Sequence, residues 1–216
     1  MAKQTLSRPE GKKALDYLIN DRKFSSKIIN DFDMGYCPPE TDHELRGRII
    51  TPIYNVSGEL VALSTRHLDK DHNLRFWHES FDKGYYLYGL YNAKDAIRKY
   101  NKVTIVEGEF DVASFHSFGF NMTVGCCGSA FTLFQIALLS RYCTDFYLLF
   151  DGDTAGKKSI HRALDMYKKN GLEGYGLNFI PVFLPDKMDP DEFLLQNGVD
   201  GMKEKLRISR DDDSFI

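Results

Sequence analysis

Two hydrophobic rhythms divide the chain. In residues 9–32 the apolar positions Ala14, Leu15, Leu18 and Ile19 recur at helical spacing, and a second short apolar repeat follows that Ser25 or Ser26 is suited to cap. Two short helices are predicted there. Residues 46–68, RGRIITPIYNVSGELVALSTRHL, form two β-rich runs around the polar link Asn55-Val56-Ser57-Gly58, the pattern of a hairpin. LRFWH (74–78) reads as a further strand, and residues 84–100 pass through aromatics into a helix. From residue 102 short uninterrupted apolar runs alternate with helical periods. KVTIVEG, NMTVG, DFYLLF and GLNFIPVF read as strands. The helices between them are DVASFHSFG, TLFQIALLSRY and TAGKKSIHRALDMYKKNG, the first and last closed by Gly119 and Gly171. Strands that are apolar throughout are covered on both faces, so the alternation predicts a parallel α/β sheet. The change of rhythm near Tyr100–Lys102 divides the chain into 1–100 and 101–206, with 207–216 left as an acidic tail.

With 216 residues, 43% of them hydrophobic, the chain can bury a sizeable core. No run approaches the roughly 18 apolar residues of a membrane span. MAKQTLSRPEGKKALDYL lacks the apolar centre of a signal peptide, so a soluble cytoplasmic protein without membrane contact is expected. Cys37, Cys126, Cys127 and Cys143 include no C-x-x-C pair and have no accompanying histidine cluster. Structural zinc is therefore not expected, and packing accounts for the thiols. Net charge is −3, but unevenly spread: residues 1–100 hold 16 Lys+Arg against 14 Asp+Glu, and residues 101–216 hold 12 against 17. A weakly basic half suited to phosphate precedes an acidic half suited to metal.

The acids gather at strand ends. Glu107 follows VTIV, with Asp111 four residues on; Asp151 and Asp153 follow DFYLLF; Asp189 and Asp191, in MDPDEF, follow the last strand. In open α/β sheets ligands bind beyond these carboxyl ends. Positions i and i+2 of an extended segment point the same way, which aims Asp151 and Asp153 together. A lone Asp after a strand is ordinarily a cap or turn residue, and Asp191 before EFLLQ suits that role. Three acidic pairs at successive strand ends would repel strongly unless a cation sat among them. Oxygen ligands without Cys or His select Mg²⁺ or Mn²⁺, which implies metal-assisted phosphoryl chemistry. GDTAGKKS is no phosphate loop, having three residues between its glycines where four are required. Lys157 and Lys158 behind it are suited either to solvent or to a nucleic-acid phosphate.

Glu107-Gly108-Glu109-Phe110-Asp111, Asp151-Gly152-Asp153-Thr154-Ala155-Gly156 and Asp189-Pro190-Asp191 together resemble the Toprim signature shared by primases, topoisomerases and some nucleases. KALDYLINDRKFSSKIINDFDMGYCP, the 46–68 hairpin and FDKGYYLYGLYNAKDAI extend the likeness, over roughly residues 10–206, to bacterial-type DNA primases. The resemblance implies a Toprim parallel-sheet domain preceded by a small α+β primase-core subdomain. It implies a two-metal site of Mg²⁺ or Mn²⁺ on Glu107, Asp111, Asp151, Asp153, Asp189 and Asp191. Glu107, Asp111, Asp151 and Asp153 are the implied catalytic residues, with Glu107 either a ligand or a general base. Arg46, Arg48, Arg66, Arg75, Lys83 and Lys157 are the implied contacts for ribonucleoside triphosphates and single-stranded DNA template, Arg75 standing where the family more often has lysine. The implied activity is primer RNA synthesis in DNA replication.

The zinc-binding and helicase-binding modules of bacterial primases are not represented. The chain is thus expected to be an excised piece or a minimal primase, of the kind found in bacteriophages and acting in the host cytoplasm. Its expected partners are a replicative helicase and a separate zinc-binding module. A small Toprim nuclease cutting RNA or DNA needs the same acids but not the hairpin and YLYGLYNAK region; a topoisomerase needs a larger gate; a non-catalytic replication-fork module needs none of the six acids. The terminal DDDSFI suits a solubilising tail or a docking peptide.

Overall fold

The computed structural model describes residues 2–41, 43–128 and 130–211. The chain forms two compact units that divide between Phe81 and Asp82.

The first unit begins with α1 (Ala2–Thr5), α2 (Lys12–Asp16), which runs on into a π-helical turn Tyr17–Asp21, and α3 (Ser26–Asp31). Ala14 and Leu18 are fully buried, whereas Ile19 stays partly in solvent. Ser25 caps α3, its Oγ accepting the Ile28 N–H at 3.2 Å. Strands β1 (Gly35–Cys37), β2 (Arg48–Tyr54), β3 (Leu60–His67) and β4 (Phe76–His78) form an antiparallel meander in that order. The predicted hairpin joins β2 to β3. Asn55 Oδ1 accepts from Ser57 N at 2.9 Å and Glu59 N at 3.0 Å, and Gly58 supplies the positive φ of 88°.

The second unit opens with a 3₁₀ turn, Lys83–Tyr85, and α4 (Leu90–Tyr100). It continues β5 (Lys102–Val106), α5 (Glu109–Ser117), β6 (Thr123–Gly125), α6 (Leu133–Leu139), β7 (Asp145–Leu148), α7 (Thr154–Lys169), β8 (Asn178–Pro181) and α8 (Pro190–Asp211). The strands form one parallel sheet, ordered β6-β5-β7-β8. Phe146, Phe179 and Tyr167 stack across its interior, with ring centroids 5.1 and 4.8 Å apart. Among the described residues no helix is long and apolar enough to cross a membrane.

The division falls earlier than the change of rhythm at Tyr100–Lys102 because α4 packs on β5 and β6, and Tyr88 bridges Gly125 of β6. The segment from 82 to 100 therefore belongs to the parallel sheet. The short helix expected at EFLLQ also grows. Helix α8 continues past a non-helical Gly198 (φ 69°) into the start of the segment read as a tail, where Arg210 pairs with the buried Asp145 at 2.7 Å. Residues 212–216, most of DDDSFI, lie outside the described residues.

Candidate active site

The strand order sets the location. The chain steps from β5 outward to β6 on one side and from β7 outward to β8 on the other, so the connections diverge between β5 and β7. The crevice beyond the carboxyl ends at such a reversal is where open α/β sheets bind ligands. Glu107 stands one residue past β5, and Asp151 three past β7. They meet there, the Asp151 N–H donating to Glu107 Oε1 at 3.4 Å.

A third chain segment is brought in by two close approaches. The Gly152 N–H donates to the Met188 carbonyl at 2.8 Å, and a Cβ on Gly152 would lie 2.0 Å from the Pro185 carbonyl oxygen. A Cβ on Gly156 would lie 2.1 Å from the Asp151 carbonyl oxygen. The two glycines of DGDTAG thus serve contact, not left-handed backbone: one seats residues 185–188, which deliver Asp189, and the other lets α7 close on Asp151. Asp153 caps α7, Oδ1 accepting from Gly156 N at 2.8 Å, and Asp189 Oδ1 accepts from Glu192 N at 2.6 Å.

The convergence is visible in proton affinity. Burial first, then the charges of Glu107, Asp189 and Asp153, push the Asp151 carboxyl up to about 7 from the ordinary 3.8. Glu107 is raised as well, by burial and by Asp153, partly offset by the hydrogen bond from Asp151 N. Four carboxylates therefore share one field. Among the described residues no three His, Cys, Asp or Glu side chains form a ready-made cage for an ion. Magnesium does not require one, since it keeps several waters and takes one or two carboxylates plus substrate phosphate. Oxygen-only donors in mutual repulsion fit Mg²⁺ or Mn²⁺.

The remaining expected residues take other places. Asp111 Oδ2 accepts from Gly108 N at 3.1 Å, closing the turn into α5. Asp191, expected among the metal ligands, is 2% exposed and accepts the Ser114 hydroxyl, joining α8 to α5. One residue of helical offset from Pro190 turns it into the interior. Ser114→Ala is expected to lower stability by about 1–2 kcal/mol and to leave divalent-cation affinity unchanged, measured by thermal denaturation and calorimetric titration. Lys157, expected at phosphate, ion-pairs with Asp186 and so tethers the segment before Asp189.

In the first unit Arg48 is buried. Its guanidinium donates to the carbonyls of Leu74 at 2.5 Å and Arg75 at 3.4 Å, which makes it a tie between β2 and the segment before β4. Arg46 is exposed and with Arg48, His43, His67, His72 and Leu74 lines a cavity of about 500 Å³. Arg66 and Arg75 lie over the Phe76 ring at 5.0 and 5.6 Å. Lys83 is half-buried in the second unit, within electrostatic reach of the Cys127 thiol. Glu109, outside the expected set, is buried and acts on the same thiol. Its place in EGEFD, between Glu107 and Asp111, is the sequence signal that marks it.

Residues 104–194 match the Toprim-like domain family. A DNA primase of Aquifex aeolicus is 30% identical over 231 residues, covering 92% of this chain and 44% of the relative. The chain is related to the bacterial DNA primase catalytic core. The E. coli primase catalytic core superposes with a TM-score of 0.83 at 26% identity, over 96% of this chain and 76% of that one. The DnaG primase catalytic domain bound to ssDNA gives 0.85 at 26% identity, over 96% and 74%. The fold is thus α/β, with a Toprim parallel sheet in its second unit, and the chain spans under half the length of the curated primases it matches.

Proposed function

We propose that this chain carries the primer-synthesising core of a DNA primase, joining ribonucleoside triphosphates into short RNA on single-stranded DNA template. The observation that carries the reading is the convergence of Glu107, Asp151, Asp153 and Asp189 at the β5/β7 divergence, together with the likeness to primase cores. Those four residues would hold Mg²⁺ or Mn²⁺. When bound, the metal supplies charge neutralisation at the reacting phosphate and lowers the proton affinity of an attacking hydroxyl. The bond from Asp151 N to Glu107 ties the two acids together, and backbone bonds between Gly152 and residues 187–188 hold the segment that leads to Asp189.

Arg46, Arg66, Arg75 and Lys83 are the proposed contacts to triphosphate and template backbone, as cations that position without reading sequence. Arg48, and Lys157 through Asp186, act by holding segments in place. Asp111 supports the β5–α5 turn beside the metal site. A replicative helicase and a separate zinc-binding module are the proposed partners, and cytoplasm the proposed setting, that of the host if the chain is phage-encoded.

The test is incubation with single-stranded template, ribonucleotides and Mg²⁺ or Mn²⁺. Di- to decanucleotide products are expected on gels, and none with chelator. Degradation of labelled template or RNA without synthesis would turn the reading to a Toprim nuclease.

A further inference from the structure

Beside the acidic crevice the fold holds two aromatic rings in water. Tyr85 and Phe134 are 47% and 58% exposed, and their rings pair at a centroid distance of 4.3 Å. Leu133, 43% exposed, precedes Phe134 in sequence. The backbone that carries both rings is held by side-chain hydrogen bonds. Gln135, fully buried, donates through Nε2 to the carbonyls of Lys83 at 3.0 Å and Tyr86 at 2.7 Å. Thr132 Oγ1 donates to the Gly84 carbonyl at 2.6 Å, and Asp82 Oδ1 accepts from Gly84 N at 3.3 Å. Gln135 of α6 and Thr132, which caps that helix, thus fasten the 3₁₀ turn that carries Tyr85 against the start of the helix that carries Phe134.

The platform stands at the catalytic end of the sheet. Tyr88, just after the turn, exchanges both backbone hydrogen bonds with Gly125, the last residue of β6. The next residues, Cys126 to Gly128, run alongside Glu107, Gly128 N donating to its carbonyl at 3.0 Å. Glu107 acts on the Cys126 thiol, while Lys83 and Glu109 act on that of Cys127. A rigid aromatic pair, a neighbouring lysine and the acidic crevice therefore share one edge of the sheet.

We propose that Tyr85 and Phe134, extended by Leu133, are a stacking platform for unpaired bases of single-stranded DNA, with Lys83 on the adjoining phosphate. The proposal rests on the polymerase reading for its choice of DNA. Every base offers a π-face, so such a platform binds without sequence preference, and rings already fixed lose little entropy on stacking. It would keep template bases splayed as the strand leaves the crevice on the β6 side.

The test uses the whole chain and a labelled oligo-dT in fluorescence anisotropy, without ribonucleotides. Tyr85→Ala with Phe134→Ala is expected to weaken binding roughly 5- to 150-fold, leaving the slope of log affinity against log salt unchanged. Phe134→Trp should restore affinity in a Phe134→Ala background comparison. Lys83→Ala is expected to flatten the salt slope by about one phosphate contact. Phe134→Gln alone, which spares Thr132 and Gln135, serves if the double variant melts early. Wild-type affinity in the aromatic variants overturns the platform. So does a loss that coincides with a change from dimer to monomer in ultracentrifugation, which would make the patch a face between copies of this chain. The two readings fail separately: primer synthesis with unaltered binding in the variants removes only the platform, and platform-dependent binding without synthesis removes only the polymerase.

Discussion

Asp151→Asn is expected to reduce nucleotidyl transfer by at least about 10²- to 10³-fold, the range for loss of one preorganised electrostatic contact, while the metal-free protein becomes more stable. The two effects share one cause. Asp151 is half-buried among Glu107, Asp189 and Asp153, and holds its proton up to about 7 against an ordinary 3.8. Between those values the folded chain carries a proton that the unfolded chain has released. The stabilisation is therefore full below pH 3.8, declines as pH rises, and is lost once pH passes about 7. Glu107 is raised too and adds the same sign. Thermal denaturation in chelator should show the wild-type midpoint falling across this window. The asparagine variant, with no charge to bury, should follow a flatter curve. Millimolar Mg²⁺ should raise the wild-type midpoint at pH 7.5 and leave that of the variant almost unmoved. A variant that keeps full activity, or a wild type whose stability climbs from pH 4 to 7, would remove Asp151 from the centre of the site.

The crowding of acids was legible in the charge pattern, since DFYLLF running into Asp151 and Asp153 placed like charges at a buried strand's mouth. The sheet was legible too, because apolar runs and helical periods alternate cleanly after Lys102. The direction of individual side chains was less so. Asp191 sits two residues from Asp189, but Pro190 starts a helix, and the turn sends one carboxylate toward Asp151 and the other to Ser114. Arg48 and Lys157 carry the charge that phosphate needs, yet the nearest carbonyls and the nearest carboxylate claim them. Such claims come from segments distant in the chain, which spacing alone does not bring together. The boundary at Phe81 was hidden for a related reason: α4 has the helical rhythm of the first part but packs on the sheet of the second. The Tyr85–Phe134 pair joins residues 49 positions apart, so no local pattern announces it.

Gly152→Ala should be one of the two most damaging single methyl additions in the second unit, with Gly156→Ala the other. Its Cβ would fall 2.0 Å from the Pro185 carbonyl oxygen and 3.0 Å from that of Met188. Both obstacles are backbone, so no rotamer change relieves them, and the 185–188 segment must move. That movement breaks the bond from Gly152 N to the Met188 carbonyl and the one from Lys187 N to the Gly152 carbonyl, 2.8 and 3.4 Å long. Overpacking costs typically about 1–3 kcal/mol and more where nothing yields, which for a chain of this size corresponds to a fall in midpoint of about 2–12 °C. The functional loss should exceed what instability explains, because the displaced segment carries Asp189 away from Asp151. Divalent-cation affinity measured well below the midpoint should fall along with primer synthesis. Gly174→Ala, where the added methyl meets nothing within 4 Å and φ is not positive, provides the control and should leave both quantities unchanged. If Gly152→Ala instead melts normally and binds metal as the wild type does, Asp189 reaches the crevice by some route other than the seat that Gly152 provides.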